Sequence, residues 1–193
     1  MNASRLLALV AVLCALATAA LGLGFAGGHA PGALDAWAAG AIAGIGRGTL
    51  DVLVLPTEPY VLIPAIVVIA GTCLYLRRRT DALLAVAGPA LAVALNTWVL
   101  KPLFDRWKND ILVYPSGHTV SLVTVLVVLV LLARPKVVTV VLGVVLLCCA
   151  AIGMIGLGYH YLTDIVGGTF FATAVVTGLR AVTPRRVPAP SAG

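Results

Sequence analysis

Apolar residues fall into six long runs, approximately 6–25, 59–76, 82–100, 117–133, 137–157 and 161–179, and polar side chains gather between them. Each run approaches the roughly 20 residues that cross about 30 Å of hydrocarbon as a helix. The pattern predicts an all-α, polytopic integral membrane protein, with six transmembrane helices in one bundle over residues 1–182. A flexible cytoplasmic tail is expected at 183–193, where Pro184, Pro188 and Pro190 interrupt regular structure. The fourth run is the shortest, and its first turn must include Gly117, which places the polar residues beside it at the membrane boundary.

Residues 30–57 form the one substantial connection. Ala33 to Ile45 predicts a short helix lying in the interface or packed over the external mouth, and Leu50 to Leu55 continues apolar until Pro56 stops it. Residues 1–20 also read as a secretory signal, since Arg5 precedes an apolar run that ends in Ala17-Thr18-Ala19-Ala20. That run continues through Phe25, long for a signal core, which favours a retained first span.

Composition supports the membrane reading. The chain is 61% hydrophobic and 10% charged, with a mean hydropathy of +1.10, against about a quarter charged for soluble domains. A disordered chain is excluded. The net charge of +6 comes from 13 basic and 7 acidic residues dispersed between apolar runs, so a nucleic-acid partner is disfavoured. Cys14, Cys73, Cys148 and Cys149 each lie in an apolar stretch and read as small buried hydrophobes.

The basic residues set the expected orientation. With the N-terminus cytoplasmic, the inside segments carry Arg5, Arg77, Arg78, Arg79, Arg134, Lys136, Arg180, Arg185 and Arg186, and the outside segments only Arg47, Lys101, Arg106 and Lys108. Both termini are then cytoplasmic. His29, His118 and His160 fall on the external side, with Asp35, Asp51, Glu58, Asp105, Asp110 and Asp164. Headgroup-level placement is an adequate account of His29, Asp35, Arg47 and Asp51. It is a weak one for the others, because ionisable groups beside apolar runs are costly unless paired or used.

Three external clusters need a joint explanation: Lys101 with Arg106 and Lys108, then Pro115-Ser116-Gly117-His118, then His160 with Asp164. Cationic donors, a Ser-Gly turn opening a helix and two histidines suit an anion, since a helix N-terminus offers free N–H groups and a favourable dipole to phosphate oxygens. His160 and Asp164, four apart, share a helical face. The carboxylate can orient the imidazole and leave its other nitrogen free to attack phosphorus or accept a proton, while a plain helix cap explains the pair equally well. His118 is placed to protonate a leaving oxygen. Ser116 reads as an N-cap, a phosphate donor or both, Gly117 as a turn residue or a close backbone approach, and Lys101 as a donor or a snorkelling anchor. Asn96 is expected to brace the site or bond a neighbouring helix, and Tyr114, Tyr159 and Tyr161 read as aromatic-belt residues. No third strong ligand stands at diagnostic spacing, so no metal is expected, and no cofactor.

The string Lys101-Pro102-Leu103-Phe104-Asp105-Arg106-Trp107-Lys108, the Pro115–His118 turn and His160-Tyr161-Leu162-Thr163-Asp164 together resemble the type 2 phosphatidic acid phosphatase (PAP2) superfamily over roughly residues 60–180. The resemblance implies a six-helix membrane phosphatase without a metal. Lys101, Lys108, Ser116 and the Gly117 backbone would bind phosphate, His118 would act as general acid, His160 would become a phosphohistidine and Asp164 would orient it.

Two departures stand out. Lys108 occupies a position where the family carries Arg, followed by Asn109 in place of Pro, and the family's Ser-Arg pair is here Gly153-Met154. Arg is a rigid fork of donors, Lys a point charge, and Met neither. Losing one such donor costs about 3 to 4 kcal/mol of transition-state stabilisation. Arg106, two residues from Lys108, is expected to replace part of the lost charge.

The expected substrate is a lipid phosphate or polyprenyl diphosphate in contact with membrane lipids. The rival readings are a noncatalytic lipid-phosphate binding or transport protein, and a phosphoryl or headgroup transferase.

Overall fold

The computed structural model describes residues 2–183. Among the described residues nine α-helices are formed: α1 (Ala3–Phe25), α2 (Ala33–Ile42), α3 (Arg47–Val54), α4 (Pro59–Tyr75), α5 (Arg79–Leu95), α6 (Lys101–Phe104), α7 (Gly117–Leu132), α8 (Lys136–Gly156) and α9 (Leu162–Val182). All six apolar runs are helical. Local chemistry sets several starts: Asn2 accepts from the Arg5 N–H ahead of α1, Ser116 caps α7, and Asp164 accepts from the Tyr161 N–H at the head of α9. All but Thr183 of the expected tail lies outside the described residues.

α7 is the hub of the bundle and packs on α9, α5, α8 and α4. Its Leu122 and Val125 join Val54, Leu62, Ala150, Met154 and Ile165 in one core, and Val128 joins Leu84, Ala85 and Val176 in another. α1 lies along α9. Two glycines make room for aromatic rings against these helices, since a Cβ at Gly22 of α1 would enter the Phe104 ring and one at Gly167 of α9 the Tyr114 ring. Tyr114 is fully buried there, and its hydroxyl donates to the Thr18 carbonyl at 2.6 Å. Large aliphatic side chains elsewhere point outward, among them Val137, Val141, Leu142 and Val145 of α8. Such exposure is what a hydrocarbon solvent permits.

The apolar helices make this an integral membrane protein, but the expected count of six spans is not reproduced. Among the described residues five helical stretches are long and apolar enough to cross a membrane: Ala3–Phe25, Arg47–Tyr75, Arg79–Phe104, Lys136–Gly156 and Leu162–Val182. The sixth candidate, α7, has 16 residues. At 1.5 Å per residue it rises about 24 Å, less than the hydrocarbon thickness of about 30 Å.

The all-α expectation needs one small correction. A two-stranded antiparallel hairpin pairs Trp107 with Leu112 and Lys108 with Ile111. Its turn residues Asn109 and Asp110 have φ of 49° and 60°. Two consecutive left-handed residues make the type I′ turn that suits hairpin twist, and Asn tolerates that conformation where Pro, fixed near −65°, does not. Asn109 in place of the family Pro therefore has a local structural reason. The hairpin is tied down by Trp107 N–H to the Gly28 carbonyl at 2.9 Å, with Gly27 N–H bonded to the Phe104 carbonyl nearby.

α2 forms within the segment expected to hold a short helix and packs against α8 and α9, and α3 packs against α8. The α3 contact explains Gly153. A Cβ there would lie 2.8 Å from the Val54 nitrogen and 2.9 Å from the Leu50 oxygen, both backbone atoms that cannot rotate away. Gly153→Ser, although it restores the family residue, is expected to destabilise the protein by about 1 to 3 kcal/mol. Thermal unfolding in detergent checks this, and an unchanged midpoint would show that α3 is not seated as described.

Candidate active site

The site forms where α5 and α6, the hairpin, the start of α7 and the start of α9 meet. After α5, residues Asn96–Leu100 make a π-type turn in which the Lys101 N–H bonds back to the Asn96 carbonyl. Such turns wind more widely than an α-helix and recur at functional sites. Here the turn sets Asn96 and Lys101 on the wall of one 340 Å³ cavity, together with Gly117, Ser121, His118 and His160. Lys101 Nζ donates to the Leu112 carbonyl at 2.6 Å, which draws it toward the hairpin. Asn96 donates to the Pro115 carbonyl at 3.3 Å and so braces the turn ahead of α7, but its Oδ1 is buried without a partner.

The two histidines meet. His118 Nδ1 lies 3.4 Å from His160 Nε2, with ring centroids 5.6 Å apart, and Tyr159 stacks on His118. The other His160 nitrogen, Nδ1, faces Asp164 Oδ2 at 3.8 Å, close enough for charge attraction but beyond a hydrogen bond. Nδ1 is buried with no hydrogen-bond partner. Burial pushes the His160 imidazolium toward its neutral form, and the Asp164 carboxylate pulls the other way without cancelling it.

Asp164 is held by other groups. Its Oδ1 accepts from Arg106 Nη1 at 2.6 Å and its Oδ2 from the Tyr161 N–H at 2.8 Å. Arg106 is itself fully buried, with Nη2 donating to Asp35 Oδ2 at 2.8 Å, Nη1 also donating to Thr163 Oγ1 at 2.7 Å, and its Cζ over the Phe25 and Tyr161 rings. The expectation that Arg106 supplies phosphate-binding charge is corrected by this geometry, because a desolvated guanidinium beside two carboxylates is held by them and does not face the cavity.

Asp35, read from sequence as a headgroup-level residue, is the second correction. It is buried and accepts from the Gly32 N–H, the Thr163 N–H and the Thr163 hydroxyl as well as from Arg106. Burial alone raises its carboxyl, yet these four donors outweigh that and hold it below the usual carboxylate range. The one signal for Asp35 in the sequence is that it is the sole acid in the Ala- and Gly-rich stretch that forms α2.

Lys108 lies beside His160, its Nζ 3.3 Å from the His160 carbonyl and 4.4 Å over the Tyr161 ring. Burial lowers its ammonium from the ordinary value, partly offset by Asp164 and Asp35. Ser116 takes the N-cap role, one of the two expected for it. It is fully buried, caps α7 by accepting from the Thr119 N–H at 3.3 Å, and directs its hydroxyl to the Met154 sulfur at 3.7 Å. Met154, where the family carries Arg, is also fully buried, and an apolar thioether fills that space. Gly117 remains on the cavity wall at the head of α7, where the first N–H groups lack intrahelical partners. Among the described residues, no three His, Cys, Asp or Glu side chains cluster as a metal site.

An apolar groove of 470 Å³ runs between α4 and α5 past Leu62, Ile66, Val86 and Pro89. Thr57, Pro59, Val93 and Ser121 line both it and the cavity, so the two spaces adjoin.

This combination of helical membrane fold and anion-suited cavity agrees with the comparisons. Residues 81–188, more than half of the chain, match the PAP2 superfamily, and the chain belongs to that family. Among solved structures it is similar to the first transmembrane PAP2 type phosphatidylglycerolphosphate phosphatase from Bacillus subtilis, with a TM-score of 0.70 and 22% identity over 88% of this chain and 94% of that one. The comparison with curated proteins gives no match. Family membership supports a phosphatase-type hydrolase acting on a lipid phosphate.

Ser116→Ala tests its reassignment from phosphate donor to cap. Loss of the cap is expected to lower stability by about 1 kcal/mol, while kcat/KM for phosphate release changes by less than about fivefold. A loss of about a hundredfold without unfolding would return Ser116 to the phosphate cradle.

Proposed function

We propose that the protein hydrolyses a phosphomonoester or diphosphate on a lipid at the extracytoplasmic face, through a phosphohistidine. The observation that carries this reading is the meeting of His118 and His160, 3.4 Å apart, on a cavity that also holds Lys101 and the start of α7. Both termini are cytoplasmic on the basic-residue distribution, and α7 is a short sixth span whose polar start dips below the headgroups.

In this scheme Lys101, Lys108 and the Gly117 N–H hold nonbridging oxygens, and the phosphoryl group displaces His118 from His160 Nε2. The Nε2 lone pair attacks phosphorus as the bond to the leaving oxygen breaks, and His118 gives that oxygen its proton. Water then attacks the phosphohistidine, the P–N bond breaks and returns its electron pair to His160, and His118 takes the water's proton. The balance is lipid phosphate plus water to lipid alcohol plus inorganic phosphate, or, for a diphosphate, to lipid monophosphate plus inorganic phosphate. Asp164 steadies the imidazolium character that His160 acquires, and contacts such as the 3.8 Å one commonly shorten in the substrate complex.

The adjoining apolar groove supports a lipid substrate. From Pro59 to Val67 it follows α4 for about 12 Å, a depth suited to the first part of a hydrocarbon tail. Phosphatidic acid, polyprenyl phosphate or diphosphate, and phosphatidylglycerol phosphate, the substrate in the name of the structural neighbour, all present a phosphate above such a tail.

Inorganic phosphate release from these lipids, wild type against His160→Ala, tests the function. Release that falls by at least about a thousandfold in the variant is expected. Lipid-phosphate binding without release would instead identify a binding protein, the reading favoured by Met154 in place of an Arg. A phosphorylated added alcohol would identify a transferase.

The pH dependence follows from the buried His160. A neutral imidazole is the nucleophile, so protonation abolishes attack, and burial moves that protonation below the ordinary histidine value of about 6.5. The acid limb of kcat/KM is expected below that pH, whereas a limb at or above it would contradict the assignment.

A further inference from the structure

Two carboxylates, Asp35 and Asp164, bracket the single Arg106 guanidinium at 2.8 and 2.6 Å, and all three side chains are almost completely buried. The group therefore carries one net negative charge in a site of low dielectric. Asp164 alone with Arg106 would be a neutral pair. Asp35 engages the far nitrogen of the guanidinium, so the positive charge is shared and Asp164 keeps an effective negative charge toward His160 Nδ1, 3.8 Å away. We propose that Asp35, on α2 and outside the segment that matches the family, is a positioning and charge-setting residue for the His160 nucleophile, acting through Arg106 and Asp164. The proposal rests on the phosphohistidine reading for its kinetic consequence only, since the electrostatic consequence exists without substrate.

Several groups set the charge at His160. Asp164 approaches from α9, His118 from α7, Lys101 from α6 and Lys108 from the hairpin, with Arg106 and Asp35 behind Asp164 and the Tyr161 ring beside Arg106 and Lys108. Both lysines disfavour positive charge on the ring, and Asp164 is the facing anion. Removing the charge of Asp35 leaves Arg106 to neutralise Asp164, and the imidazolium character that develops as His160 attacks phosphorus then loses its counterion. Geometry contributes as well, because Asp35 accepts from the Thr163 N–H and hydroxyl and so fixes the first turn of α9, which carries Asp164.

The test uses the full chain in detergent, with imidazole nitrogens labelled and the three histidines distinguished by substitution. The His160 titration midpoint is read by NMR, and kcat and KM are measured with dioctanoyl phosphatidic acid. Asp35→Asn is expected to lower the His160 midpoint by about one unit and kcat by at least about tenfold, with KM changed less than about threefold. Asp35→Glu keeps the charge and is expected to hold the midpoint near wild type. Arg106→Gln is expected to move the midpoint upward. If a single variant fails to fold, Asp35→Asn with Arg106→Gln removes one charge of each sign, and its midpoint is expected at or above wild type. An unmoved midpoint in Asp35→Asn, or a double variant below wild type, overturns the proposal. A wild-type protein that releases no phosphate defeats the functional reading, while the midpoints still decide the role of Asp35.

Discussion

The buried fork of Arg106 between Asp35 and Asp164 is the constraint on which the active end of the molecule depends. A guanidinium removed from water must find acceptors on nearly every side, and breaking one partner of such a pair costs about 3 to 5 kcal/mol. Here the acceptors come from α2 and α9, and the guanidinium from the link between α6 and the hairpin. One side chain thereby joins three segments far apart in sequence. Once it is seated, the hairpin lies against the α1–α2 link, Lys108 reaches the His160 carbonyl and the Asp164 carboxylate is fixed behind the His160 ring.

That arrangement divides the cations of the site into two kinds. Arg106 is structural, and its charge is matched inside the protein. Lys101 and Lys108 are half-buried, and their ammonium groups donate to the Leu112 and His160 carbonyls rather than to a carboxylate. The place of the family Arg is filled by Met154, whose sulfur takes the Ser116 hydroxyl out of the cavity. In the proposed scheme a phosphate would therefore meet flexible ammonium groups and a helix start. Lys adapts more readily than Arg to a headgroup of different size, but grips nonbridging oxygens with less geometric definition.

Much of this was legible in the sequence because its causes are local. Apolar runs of helical length announced the six helices, and three polar clusters at their ends announced the site. A bonding role for Asn96 and a short helix after the first span were also readable, since a lone buried amide needs a partner and the Ala33 to Ile45 stretch is apolar. What escaped depended on contacts between distant segments. Nothing near Asp35 says that Arg106 lies opposite it, and both lysines and Arg106 look alike as basic residues in one external stretch. The hairpin has a turn signal in Asn109-Asp110, but its strands, Trp107–Lys108 and Ile111–Leu112, are too short to carry an alternating pattern of their own. The need for glycine at 153 comes from the α3 backbone, about a hundred residues earlier in the chain.

The central claim is that His160 attacks phosphorus and carries the phosphoryl group. Rapid-quench trapping with a lipid labelled at its phosphate, followed by peptide mapping, tests it most directly. An acid-labile, alkali-stable phosphate on the peptide that contains His160, formed and lost at rates matching turnover, is the result predicted. Steady phosphate release with no label on that peptide at any quench time, or label on His118 instead, would contradict the account.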